Sequence, residues 1–357
     1  MQNIAPQQTG KLLPGQLVEG DARAFDFHSV LKPIDLVAGG PPCQPFSLGG
    51  KHQGCDDQRD MFPVAVKAVR ELRPKVFVFE NVKGLLRTSF TNYLQYVVLQ
   101  LDYPDLVNGD TENWEEHLSR LEQSHVAGYA PADGYRTVTR LLNAANFGVP
   151  QKRERIFIVG FRNDLHTEWS FLKATHSEDA LIWAKWVTST YWDDHQISKK
   201  NRPIITAAEV KQVERVIKKY GMFSPATQRW RTVRDAISNL PENSMNHEVR
   251  EGARLYTGHT GSKIDEPSKT LKAGDHGVPG GENMVRYYDN SVRYFSVRES
   301  CRIQTFPDDF FISGSWTEGM RQIGNAVPVK LAEVIGRSIR QQLETTTADV
   351  IARKEIP

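Results

Sequence analysis

A chain of 357 residues has room for one large α/β domain with a smaller appended one, and lies far above the size at which disulfides or metals must supply stability. With 39% hydrophobic and 25% charged residues and a mean hydropathy of −0.48, it is composed like a soluble protein, and no run approaches the roughly 18 apolar residues of a membrane span. A net charge of +2 excludes an overall field that would announce a nucleic-acid partner, and three cysteines without a signal-peptide core imply a reducing, cytoplasmic setting.

The first predicted element is a short buried strand over Pro33 to Ala38, ending in the turn Gly39-Gly40-Pro41-Pro42. Ala65, Val66, Val69 and Leu72 then fall at helical spacing and stop before Pro74. Val76 to Phe79 is a second buried strand ending at Glu80, so strand, loop, helix and strand form one right-handed crossover unit. Two further apolar segments, Tyr135 to Leu142 and Arg155 to Phe161, flank Asn146-Phe147-Gly148-Val149-Pro150 and read as closing strands of the same sheet. That sheet is expected to be mostly parallel and wound on both faces.

Beyond Phe161 the alternation dissolves into a second, irregular domain with scattered Trp, Pro and Gly. It carries one amphipathic helix, with Val210, Val213, Val216, Ile217 and Tyr220 on one face. Lys199 to Asp235 holds ten Lys or Arg against Glu209, Glu214 and Asp235, whereas Asp102 to Glu122 holds seven acids against Arg120 alone. Either run by itself is most simply a solvated face. Val297 to Thr305 and Leu331 to Leu343 read as helices around Gly324-Asn325-Ala326-Val327-Pro328.

In open α/β sheets function gathers at the carboxyl ends of strands, and both Cys43 and Glu80 lie just past such ends. An isolated cysteine is most often an inert buried residue. Cys43 differs because two prolines fix the backbone before it and the polar, glycine-containing stretch Ser47 to Lys51 follows, which suits a thiolate on a loop that moves over a substrate. Four motifs then stand in order: Gly-Pro-Pro-Cys-Gln-Pro-Phe-Ser around Cys43, Glu80-Asn81-Val82, Gln151-Lys152-Arg153-Glu154-Arg155, and Gly324-Asn325-Ala326-Val327-Pro328. In order and spacing, from about residue 20 to about residue 340, the chain resembles the cytosine-5 DNA methyltransferases.

The resemblance implies a Rossmann-like α/β methyltransferase sheet, incomplete at its N-terminus, with a smaller, irregular target recognition domain. The implied segments are 1–161 for the first catalytic part, 162–290 for target recognition, 291–345 for the return to the catalytic part and 346–357 for a tail. It also implies a reaction. Cytosine C5 is a poor nucleophile, so a thiolate, here Cys43, adds to C6 and makes the ring an enamine able to take a methyl group from S-adenosylmethionine. Glu80 matches the carboxyl group that hydrogen-bonds and protonates N3, and Arg153 and Arg155 match an Arg-x-Arg pair whose alternate positions on a strand edge point both guanidinium groups to one side. Because a duplex hides C5 and C6, the base must be flipped out of double-stranded DNA. Gln44, Ser47, Lys51 and Arg59, on the loop after the nucleophile, are the implied DNA contacts, and the basic stretch with Tyr220, Phe223 and Trp230 suits backbone anchoring and groove contact. Asp235-Ala236-Ile237, Leu240-Pro241 and Pro267-Ser268-Lys269-Thr270-Leu271 resemble segments of the family's variable region. No metal is implied.

The chain also departs from the family. Its members usually open with a strand running into a Phe-x-Gly-x-Gly loop and an acidic residue after the second strand, and neither occurs here. The sequence opens near Gly20-Asp21-Ala22, whose aspartate matches a contact to the donor's adenine amino group. The remaining donor contacts fall to Pro42, Asn325 and Val327, so the donor pocket is expected to be half built and the sheet to have an open edge. This is read as a fragment or misassigned start, a split enzyme completed by an N-terminal polypeptide, or a remnant that binds DNA without methylating it. A tRNA cytosine-5 methyltransferase is the rival of another substrate class, but the Cys-Phe-Thr signature typical of that group is absent. A compact catalytic core without regulatory domains suits a modification enzyme of a restriction-modification system.

Overall fold

In a computed structural model, residues 16–30, 33–42, 60–273 and 283–354 are described, with side chains through residue 346. By its internal contacts the chain divides into two compact units, one of Met1–Leu142, Glu154–Phe171 and Ile339–Pro357, the other of Asn143–Arg153 and Leu172–Ser338. Residues 291–338 thus stay with the second unit rather than returning to the first. The reason is a core that runs from Val233, Ile264 and Leu271 to Phe295, Cys301 and Ile323 without a break at residue 290.

The first unit contains β1 (Leu36–Gly39), α1 (Phe62–Leu72), β2 (Val76–Val82), α2 (Thr91–Asp102), α3 (Trp114–Val126), β3 (Tyr135–Asn143) and β4 (Glu154–Arg162). Helix α1 buries Ala65, Val66, Val69 and Leu72 as the spacing predicts, and ends where Arg73 takes a left-handed conformation (φ 48°) before Pro74. Its apolar face meets Phe77, Phe79, Ile156 and Ile158 of the sheet in one core. The strand order is β1-β2-β4-β3.

The sheet is not mostly parallel. β1 and β2 run parallel with α1 as their crossover, but β4 is antiparallel to β2, with Glu80 opposite Phe157 and Val82 opposite Arg155. The short link from β3 to β4 contains one 3₁₀ turn, Ala144–Phe147, and no crossover helix, which is what an antiparallel return requires. Among the described strands β1 and β3 are the outer ones, and Leu36 of β1 is 43% exposed.

The acidic run from Asp102 to Glu122 is only partly a solvated face. Asn113 and Glu116 form a reciprocal cap on α3, and Glu112 is held by Arg120 at 2.7 Å. Asp102 closes α2, with its Oδ1 buried and, among the described residues, without a hydrogen-bond partner, and burial pushes its carboxyl up to about 7 against the opposing influence of nearby Thr137. Since the folded state holds that proton more tightly than the unfolded chain, its contribution is complete below the ordinary carboxylate range and is lost as pH rises through about 7. We therefore expect Asp102→Asn to raise stability at pH 8 by up to about 4 kcal/mol and to flatten the pH dependence between about pH 4 and 7. Urea denaturation of both proteins at several pH values checks this, and parallel curves would contradict it.

The second unit is built from short elements: β5 (His176–Ser177), α4 (Glu178–Ile182), α5 (Thr190–Asp194), α6 (Ala207–Tyr220), β6 (Gln228–Arg229), α7 (Val233–Ile237), β7 (Ser262–Lys263), β8 (Met284–Arg286), β9 (Val292–Tyr294), α8 (Val297–Ile303) and α9 (Trp316–Asn325). Helix α10 (Val329–Lys354) spans the boundary at Ser338 and Ile339. On α6, Val216 is buried with Val213 and Tyr220 packed beside it, while Val210 and Ile217 face outward, so the predicted apolar face is only half covered. Among the described residues no helix is long and apolar enough to cross a membrane.

Candidate active site

In the first unit the parallel pairing of Gly39 with Phe79 puts the next residues, Gly40 and Glu80, side by side, Gly40 just past β1 and Glu80 still inside β2, which runs on to Val82 instead of ending before Glu80. A Cβ on Gly40 would lie 3.4 Å from Glu80 Oε2, within van der Waals contact, which shows how close the two residues stand. The other oxygen, Glu80 Oε1, lies 2.8 Å from Arg155 Nε, and both side chains are mostly buried, at 16% and 14% exposure. Arg155 donates a further bond to Glu154 O at 2.8 Å. Burial pulls the Arg155 guanidinium below its usual range and the Glu80 carboxylate opposes that pull.

The same unit fixes the stem that leads to Cys43. Asn81 Nδ2 donates to Pro41 O at 3.0 Å, and Met61 N donates to Pro42 O at 3.1 Å. Asp60 accepts from Phe62 N and from the Tyr93 hydroxyl, which ties the beginning of α1 to the core. Sequence reading missed Asn81, Asp60 and Tyr93 as stem residues. The only signal was the position of Asn81 beside Glu80. Cys43, Gln44, Ser47, Lys51 and Arg59 lie outside the described residues.

The two arginines of Arg-x-Arg have different tasks. The chain passes from the second unit to the first between Arg153 and Glu154. Arg153 is 1% exposed and donates to Leu271 O at 3.2 Å and Gly324 O at 2.7 Å. Around it, Gln151 accepts from Leu271 N at 3.1 Å and meets Gln304 at 3.2 Å, and Gln304 Nε2 donates to Ile323 O and Ala326 O. Thus three sequence motifs, at 151–153, 267–271 and 324–328, are laced by buried side-chain amides and one guanidinium. Gly324 is required by space: a Cβ there would overlap the backbone of Lys272 and Ala273, lying 2.6 Å from Lys272 C and 2.8 Å from Ala273 Cα. Gly324→Ala should therefore cost at least about 1–3 kcal/mol, read as a lowered Tm, because backbone rather than a pliable side chain must yield.

The residues assigned to the donor divide between the units. Asp21 is exposed, caps the 3₁₀ turn Ala22–Ala24 and pairs with Arg23 at 3.0 Å, which holds its carboxyl below the usual range. Pro42 lies on the stem of the first unit, whereas Asn325 is exposed at the end of α9 and Val327 half-buried just beyond it in the second.

Half of the ten cations of the basic stretch are held in internal ion pairs: Arg202 with Asp193, Arg215 and Lys219 with Asp179, Arg229 with Asp235, and Arg234 with Asp265. Trp230 is a core residue, bonded to Asn146 Oδ1 at 2.9 Å, and Tyr220 bonds Asp179. Of the three aromatics expected on a binding surface, Phe223 is the one that is widely exposed, at 77%. Asp235 caps α7 through Thr232, which gives Asp235-Ala236-Ile237 a structural reason.

The family model described as C-5 cytosine-specific DNA methylase matches residues 9–104 and 118–341. The type II methyltransferase M.PspPI of Psychrobacter sp. is 30% identical over 341 residues, covering 94% of this chain and 70% of that protein. M.Eco47II of Escherichia coli is 32% identical over 339 residues, with 92% and 69% covered. Among solved structures, a DNA modification methyltransferase from an E. coli prophage aligns with a TM-score of 0.48 and 20% identity, covering 93% of this chain and 87% of that one. The S. pombe Dnmt2 methyltransferase aligns with a TM-score of 0.44 and 16% identity, covering 87% and 79%. Nothing in these comparisons supports a second, complementary polypeptide. With its ordered motifs and a family match over most of its length, the chain belongs to the C-5 cytosine-specific DNA methylases and is a DNA cytosine-5 methyltransferase.

Proposed function

We propose that this enzyme transfers a methyl group from S-adenosylmethionine to C5 of a cytosine flipped out of a specific DNA site, as the modification half of a restriction-modification system in the cytoplasm. The observation that carries the reading is the Glu80–Arg155 pair beside Gly40, three residues before Cys43. Arg155 holds the carboxylate at Oε1, and Oε2 lies toward Gly40. In this reading Cys43 attacks C6, Glu80 steadies and protonates N3, and C5 gains the electron density to accept the methyl group. Arg155 acts by orienting Glu80, and Arg153 by holding the segment around Gly324.

The methyl donor supplies an electrophilic methyl group when bound. Asp21, Pro42, Asn325 and Val327 are the residues we assign to it. Its fit is supported by the exposed Gly39 and Gly40 at the carboxyl end of β1, the position where open α/β sheets take ligands. DNA contacts are assigned to Gln44, Ser47, Lys51 and Arg59.

Incubating the purified chain with tritiated donor and genomic DNA, followed by bisulfite sequencing, tests the reading. Label confined to cytosines in one short sequence is expected. Label in tRNA instead of DNA, or none in either, would refute it.

A further inference from the structure

The second unit contains a cleft of about 230 Å³ apart from the residues assigned to catalysis, and β7 and β8 form part of its wall. These strands pair in parallel with Lys263 directly beside Arg286, and both residues line the cleft. Like charges at neighbouring positions repel, so an anion placed between them would be favoured.

The acids at the cleft offset the two cations only in part, because each is engaged elsewhere and Glu209 alone also feels the charge of Lys263. Asp265 accepts from Arg234 Nε and from the Tyr191 hydroxyl, both at 2.6 Å. Glu266 is paired with Lys185 Nζ at 2.8 Å, and Glu209 caps α6 through Thr206 N and Oγ1 at 2.9 and 2.7 Å. Among the described residues neither Lys263 nor Arg286 forms an ion pair, and the Glu209 carboxylate acts on Lys263 only through space. Lys263 is exposed, so the pair is accessible from solvent.

We propose that Lys263 and Arg286 form a phosphate-binding subsite that holds a backbone phosphodiester of the DNA substrate. A guanidinium fork and an ammonium side by side suit the oxygens of one phosphate, and a duplex presents such groups at close, regular spacing. The subsite contributes affinity and register rather than base identity. It rests on the reading of the chain as a DNA methyltransferase.

The test is the salt dependence of duplex binding, measured by fluorescence anisotropy for the full chain and for Lys263→Ala, Arg286→Ala and Arg286→Lys. Each alanine variant should lower the slope of log K against log salt concentration by about one and weaken cognate and non-cognate duplexes equally. The lysine variant should retain the slope. Turnover at saturating DNA should be unchanged, and the Tm of each alanine variant should stay close to that of the parent because neither side chain forms an ion pair. An unchanged slope in both alanine variants, with methylation intact in the parent, overturns the subsite alone. Failure of the parent to bind or methylate any duplex overturns the underlying reading as well. A calorimetric titration with inorganic phosphate and with deoxycytidine monophosphate separates the sources: binding lost in the variants without any change in duplex slope assigns the pair to a free nucleotide and overturns the proposal.

Discussion

Replacing Cys43 with serine is expected to abolish methyl transfer while leaving duplex binding in place. A thiol ionises near pH 8.5 and lower beside positive groups, so a useful fraction is thiolate at neutral pH, whereas a hydroxyl stays protonated and is a far weaker nucleophile. The stem held by Asn81 and Met61 at Pro41 and Pro42 is unaffected by the change, which removes reactivity without disturbing the backbone that presents it. A duplex carrying 5-fluorocytosine gives a second readout. Fluorine at C5 cannot leave as a proton, so the parent should accumulate a covalent adduct visible on a denaturing gel and the variant should give none. Undiminished transfer by the serine variant would eliminate the covalent mechanism.

The second large effect concerns Glu80 and Arg155. Glu80→Gln should lower kcat by about 10²–10⁴, the usual range for losing a positioned acid or base, with little change in DNA affinity. Arg155→Met should act differently, since it leaves the mostly buried Glu80 carboxylate without the guanidinium 2.8 Å away. Breaking such a pair costs about 3–5 kcal/mol, so a lower Tm is expected along with lost activity. The double variant Glu80→Gln with Arg155→Met separates the two effects. Its stability should recover toward the parent because no unmatched charge remains, while its kcat should stay as low as that of Glu80→Gln. Recovery of activity together with stability would show that the pair serves the fold and not the chemistry.

The sequence by itself determined strands β1 to β4, helices α1, α6, α8 and α10, and the family. Val76 to Phe79 and Arg155 to Phe161 are dense in β-branched and aromatic residues, and Pro74 marks the end of α1, so these elements follow from local preference. The assignment of Cys43 as nucleophile likewise rests on its ordered motif. Helices α2 and α3 escaped because their polar and acidic residues mask the apolar positions, several of which, including Tyr93, Tyr96 and Leu121, are covered only once the elements pack.

Tertiary structure alone decided the rest. Alternation along a strand is the same whichever way its neighbour runs, so the antiparallel return of β4 could not be read from pattern. Arg153 and Arg155 are equivalent in sequence, and their tasks diverge because the chain passes between two cores at that point, sending one guanidinium to backbone carbonyls and the other to Glu80. Gly324 is demanded by the approach of Lys272 and Ala273, and the facing cations Lys263 and Arg286 by the register of β7 with β8. In each case the deciding contact joins residues distant along the chain, and local propensity contains no information about which distant residue arrives.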